Sequence, residues 1–162
     1  MTWLLIIFII FIFCFGFVII FGPPYLPTLK PQIESAFMLL NLKPGQTIIE
    51  LGSGDGKVLI YAAKKGYNVI GYELNPILYF FSIIRTFKYR DKVKIHCNNF
   101  WQIDWPEADG MFTFLLPRQM TKLDNRLNKY DHRPIKLASF AFKIPGKKIN
   151  KQKNGIFLYE YK

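Results

Sequence analysis

From residue 47 onward, short apolar runs alternate with stretches in which apolar side chains recur every three to four positions. The runs at 47–51, 68–73, 93–97, 111–116, 135–142 and 156–161 have strand length, and the periods at 56–65, 76–90 and 117–130 have the spacing of one helix face. Strand and helix in turn, with nearly continuous apolar strands, predict a mostly parallel sheet covered on both sides, a doubly wound α/β fold. The last strand follows a loop over 146–155, too short an approach for a crossover helix, and is therefore expected to run antiparallel to the strand before it. Ahead of the sheet, Pro31 suits the first turn of a helix with Ile33, Phe37 and Leu40 on one face, and Lys43-Pro44-Gly45 stops it.

The amino terminus reads differently. Residues 3–21, WLLIIFIIFIFCFGFVIIF, carry no charge and would extend roughly 28 Å as a helix at about 1.5 Å per residue. A buried core helix would show a polar face, and a cleaved signal peptide a basic start and a small-residue cleavage site. Neither pattern is there, so one N-terminal transmembrane helix is expected as an anchor over 1–22. Four prolines between Gly22 and Pro31 predict a stiff connector over 23–31, which leaves 32–162 as a domain with its own core. All 22 Lys and Arg follow the apolar stretch and the net charge is +11; basic residues resist translocation, so the expected localisation is membrane, single-pass, with the domain cytoplasmic. The basic excess after Gly110 is expected to be a solvated face that can also lie against anionic headgroups of the bilayer. Cys14 and Cys97 cannot build a disulfide framework or a metal cluster, and no nucleic-acid-binding module fits the remaining length; neither metal nor nucleic acid is expected as a partner.

The candidate chemistry sits in TIIELGSGDGKVLIYAAKKG, residues 47–66, where Gly52, Gly54 and Gly56 fall between a strand and a helix. Ligands of doubly wound sheets bind at such a turn, outside the carboxyl ends of the strands. A dinucleotide fingerprint runs G-x-G-x-x-G, but here the third such position is Lys57. Glu50 and Asp55 bracket the turn and would repel a pyrophosphate, whereas they suit a cationic, phosphate-free ligand. S-adenosylmethionine is a ligand of that kind.

The stretch ELGSGDGK resembles motif I of the class I S-adenosylmethionine-dependent methyltransferases. GSGDGK, AAKKGY, GYELNP, NFWQ, LPRQM and the closing YEY follow in order the small membrane-associated protein-lysine methyltransferases of mitochondria and their prokaryotic relatives, from about Tyr25 to the end. The resemblance implies a Rossmann-like methyltransferase sheet and S-adenosyl-L-methionine as cofactor. It implies cofactor-binding roles for Glu50, Gly52, Ser53, Gly54, Asp55, Gly56, Glu73, Leu74, Asn75, Asn99 and Phe100, with Glu73 on the ribose and Asn99 at the adenine. Leu116, Pro117 and Gln119 are the implied substrate-binding residues, Pro117 being equally well read as the first residue of a helix. The chain departs from the family at Glu50, commonly Asp; at Asn99-Phe100-Trp101, commonly Asp-Leu-Trp; and at Arg118, which intervenes in a Val-Pro-Gln pattern.

The expected activity is protein-lysine N-methylation of a membrane-embedded or membrane-adjacent protein. Methylation of a lipid, quinone or other small molecule is the alternative, and a non-catalytic S-adenosylmethionine-binding scaffold a second. No catalytic residue is assigned, because a desolvated amine beside a sulfonium needs no dedicated base. His96, Trp101 and Trp105 read as ordinary packing residues, though either indole could cover the adenine.

Overall fold

A computed structural model describes the backbone of residues 2–21 and 26–162, and the side chains of residues 2–12 and 26–162. Helix α1, Thr2–Phe21, is followed by α2, Lys30–Leu40, and then by a seven-stranded sheet. Its strands are β1 (Thr47–Leu51), β2 (Asn68–Glu73), β3 (Val93–Cys97), β4 (Gly110–Thr113), β5 (Ile135–Phe140), β6 (Lys151–Lys153) and β7 (Ile156–Tyr161). Helices α3 (Lys57–Lys64), α4 (Pro76–Thr86) and α5 (Pro117–Leu127) connect β1 to β2, β2 to β3 and β4 to β5.

The spatial order is β3-β2-β1-β4-β5-β7-β6. Five strands are parallel; β7 enters antiparallel against β5, as its short approach requires, and β6 pairs antiparallel with β7. Two cores result. Ile48, Val69, Phe112, Ala138 and Leu158 pack with α2 and α3 on one face, and Ile49, Leu51, Met111, Leu137 and Tyr159 pack with α5 on the other. Neighbouring residues of one strand thus serve opposite cores, which is why the central strands β1 and β4 are almost continuously apolar. The register of β1 on β4 is pinned by Asp109, whose Oδ1 accepts from Gln46 Nε2 at 2.7 Å and whose Oδ2 accepts from Thr47 N at 2.8 Å.

Several elements differ from their expected extents. Strand β4 stops at Thr113 because its neighbour β1 ends opposite, at Leu51, where the glycine turn begins. Strand β5 stops at Phe140, and Ala141 at φ 66° turns the chain so that Phe142 leaves the sheet. Strand β6 lies inside the expected 146–155 loop and is joined to β7 by a two-residue turn with Asn154 at φ 48° and Gly155 at φ 76°. Helix α4 tightens into a 3-10 turn over Phe87–Tyr89, and its outer side exposes Phe80, Phe81, Ile84 and Phe87.

The expected transmembrane anchor, and with it the single-pass membrane localisation with a cytoplasmic domain, is corrected. Among the described residues no helix is long and apolar enough to cross a membrane. Residue 22 of the expected anchor and residues 23–25 of the expected connector lie outside the described residues.

Candidate functional site

The carboxyl ends of β1, β2 and β4 converge on one cleft. Where β1 ends, the chain makes a left-handed turn at Gly52, φ 83°, and again at Gly54 and Gly56. A Cβ at Gly52 would meet nothing within 4 Å, so there the bare backbone opens on the cleft. Gly56 differs: a Cβ would lie 3.0 Å from Ser82 Cβ and 3.2 Å from Thr86 Cγ2, so this glycine lets α3 and α4 approach.

The sheet edge of the cleft is acidic and buried. Glu50 is 3% exposed, and its Oε2 has no hydrogen-bond partner among the described residues. Burial, together with the carboxylates of Asp55 and Glu73, pushes the Glu50 carboxyl well above its ordinary range. Glu73 holds the turn in shape, its Oε2 accepting from Gly54 N at 2.7 Å and its Oε1 from Asn75 N at 2.8 Å. Burial raises Glu73 too, and those backbone bonds oppose the rise. Each of its oxygens keeps a lone pair for a further donor. Asp55 is turned to α4, where it pairs with Arg85, and its Oδ1 accepts from Lys57 N at 3.2 Å.

Opposite this edge, the loop after β3 brings Asn99, Phe100 and Trp101 to the cleft, and the segment from Phe114 into the start of α5 brings Leu116 and Gln119. The Asn99 side-chain oxygen accepts from Trp101 N at 3.0 Å and retains a second acceptor position. Gln119 Oε1 and Ser53 Oγ are buried without a partner among the described residues.

Of the residues expected from sequence, Glu50, Gly52, Ser53, Gly54, Asp55, Glu73, Leu74, Asn99, Phe100, Leu116 and Gln119 line this one cleft. Three do not. Gly56 packs against α4; Asn75 caps α4, its Oδ1 accepting from Ile77 N at 2.9 Å; and Pro117 opens α5. The sequence reading missed Leu26, Pro27 and Thr28, part of the expected connector, which form a wall of the cleft. Also missed were Phe114 and Phe142, which reach it only because β4 and β5 end early. No local pattern marks the first group; Ala141 at positive φ is a tertiary feature as well. His96 stacks on Tyr72 with ring centroids 5.4 Å apart, and Trp105 is buried. Among the described residues no group of three His, Cys, Asp or Glu could hold a metal ion.

The cleft suits the cofactor expected from sequence. Bare buried acceptors such as Glu50 Oε2 and Ser53 Oγ cost about 1–3 kcal/mol each unless a ligand supplies donors, and a cationic ligand also relieves crowded carboxylates. The open backbone at Gly52 leaves room beside them.

Residues 50–151 match the family described as the ANTKMT methyltransferase domain. The chain is 29% identical over 124 residues to the ATP synthase c-subunit lysine N-methyltransferase of Homo sapiens, covering 75% of this chain and 53% of that protein. It is 28% identical over 149 residues to a protein-lysine N-methyltransferase of Saccharolobus islandicus, covering 84% and 92%. Among solved structures, an RNA methyltransferase from Salinibacter ruber in complex with S-adenosyl-L-homocysteine superposes with a TM-score of 0.76 over 84% of this chain and 92% of that one, at 23% identity. That likeness carries the fold and not the acceptor. The chain spans about half the length of most of the curated relatives it matches.

Proposed function

The chain belongs to the ANTKMT methyltransferase domain family, and from that membership we propose that it transfers a methyl group from S-adenosylmethionine to the side-chain amine of a lysine in a protein substrate. The observation that carries the reading is the set of buried acceptors without a partner among the described residues, Glu50 Oε2, Ser53 Oγ and Gln119 Oε1, on residues that line one cleft. When bound, S-adenosylmethionine supplies an electrophilic methyl on a sulfonium.

Glu50 and Ser53 would accept from the ammonium end of the ligand, and Glu73 would offer the ribose hydroxyls the lone pairs its backbone bonds leave free. Asn99 and Phe100 would border the adenine. On the other side, Gln119 Oε1 accepts an N–H of the incoming amine and orients its lone pair. A free lysine has a pKa near ~10.4, so at neutral pH on the order of one amine in a thousand is unprotonated. Phe114, Leu116 and Phe142 give the cleft an apolar lining, and desolvation of an amine against it lowers that pKa, so a dedicated base is unnecessary. The named activities of the Homo sapiens and Saccharolobus islandicus relatives, both lysine N-methyltransferases, support a protein lysine as acceptor.

The test is transfer of radiolabelled methyl from S-adenosylmethionine by the full chain into a cell extract. Label should enter protein and, after acid hydrolysis, elute as methylated lysine. Label confined to organic-extractable material would establish a small-molecule acceptor instead, and binding without any transfer would leave only a cofactor-holding scaffold.

A further inference from the structure

The loop after β3 carries the proposed adenine border, yet it lies outside the sheet ladder and is held from a distance. The Phe100 carbonyl accepts from Trp105 Nε1 at 2.9 Å and from Arg126 Nη1 at 3.0 Å. Arg126 Nη2 donates to the Ile103 carbonyl, and Arg126 Cζ lies 4.1 Å from the Trp105 ring centre. One turn earlier on α5, Lys122 Nζ sits 4.4 Å from the Trp101 ring centre. Arg126 therefore bridges two carbonyls and an indole face of one loop, which a planar five-donor fork does and a single ammonium cannot. The helix that makes these contacts also carries Gln119 in its first turn.

We propose that Arg126 is a positioning residue for the methyl donor: anchored in α5, it holds the loop bearing Asn99 and Phe100 against the cleft and ties it to the helix that presents Gln119. The proposal rests on the cleft being the cofactor site. Arg126 does not line the cleft; it acts through the Phe100 and Ile103 carbonyls.

The test uses the full chain and Arg126→Lys, which keeps the charge and loses the fork. Amide hydrogen exchange without ligand should be faster in the variant at Trp101 and Gln102, whose amides bond to Asn99. In methylation assays the KM for S-adenosylmethionine should rise about tenfold while kcat at saturating cofactor stays within about twofold. Failure of the unaltered chain to bind S-adenosylmethionine in calorimetry would overturn the site reading, whereas the exchange measurement judges the loop clamp by itself. A folded variant with unchanged exchange at both amides, or with a lowered kcat and an unchanged KM, would overturn the role given to Arg126. If Arg126→Lys does not fold, Trp105→Phe removes the second donor to the Phe100 carbonyl, keeps a ring beneath the guanidinium, and carries the same expectations.

Discussion

Glu50 is where the residue scale matters most, because folding and ligand binding pull it in opposite directions. A carboxylate with one oxygen unpartnered and two other carboxylates nearby costs stability when ionised. Glu50→Gln removes that charge at nearly constant shape. The ligand-free variant should melt higher at neutral pH by about 2–4 °C, equivalent to ~1 kcal/mol in a protein of this size, while calorimetry finds S-adenosylmethionine affinity lowered at least about tenfold. A variant with a lower melting temperature and full affinity would disprove the assignment. The acid itself was legible from its place before the glycines. That its Oε2 lacks a partner, whereas Asp55 has one in Arg85, was not legible, because Arg85 lies thirty residues away in sequence.

At the scale of elements, the three glycines divide by what they face. Gly52→Ala strains a left-handed backbone in open space and should cost about 1–2 kcal/mol. Gly56→Ala adds a collision with Ser82 and Thr86 and should cost about 2–4 kcal/mol, with α3 forced from α4. Cofactor affinity should fall more for Gly52→Ala than for Gly56→Ala. Denaturant titration with calorimetry checks both; equal stability losses would refute the packing role of Gly56. Strands β1 and β2 have their expected bounds, because buried parallel strands show as nearly uninterrupted apolar runs between turn residues; the edge strand β3, VKIHC, also has its expected bounds, marked by alternation of apolar and polar positions. Strand β6 escaped notice since Lys151-Gln152-Lys153 is polar throughout; the Asn154-Gly155 pair was the available hairpin signal.

Across the whole molecule, opposed carboxyl groups set the pH dependence. Glu50 and Glu73 titrate above their ordinary value of 4.5 in the folded chain, so the folded state binds more protons than the unfolded one above that pH and stability falls as pH rises. Asp124 is the reverse case: burial would raise it, but hydrogen bonds from Lys147, Tyr161 and Asn128 hold it below 3.8, and its contribution is lost as pH falls through that lowered value. The ligand-free protein should therefore lose melting temperature as pH rises from the ordinary carboxylate value of 4.5 toward neutrality, with Glu50→Gln flattening the decline. A flat or rising profile over that interval would contradict the buried-carboxylate account. By itself, the sequence determined the alternation of strand and helix, the antiparallel last strand and the acidic glycine turn, because each is written in local periodicity or in residues a few positions apart. The tertiary structure alone decided that Leu26 to Thr28 wall the cleft, that Phe114 and Phe142 turn into it, and that Arg126 grips the loop after β3. Those outcomes depend on where a neighbouring strand ends and which side chain arrives from far along the chain, and such long-range meetings leave no trace in local pattern.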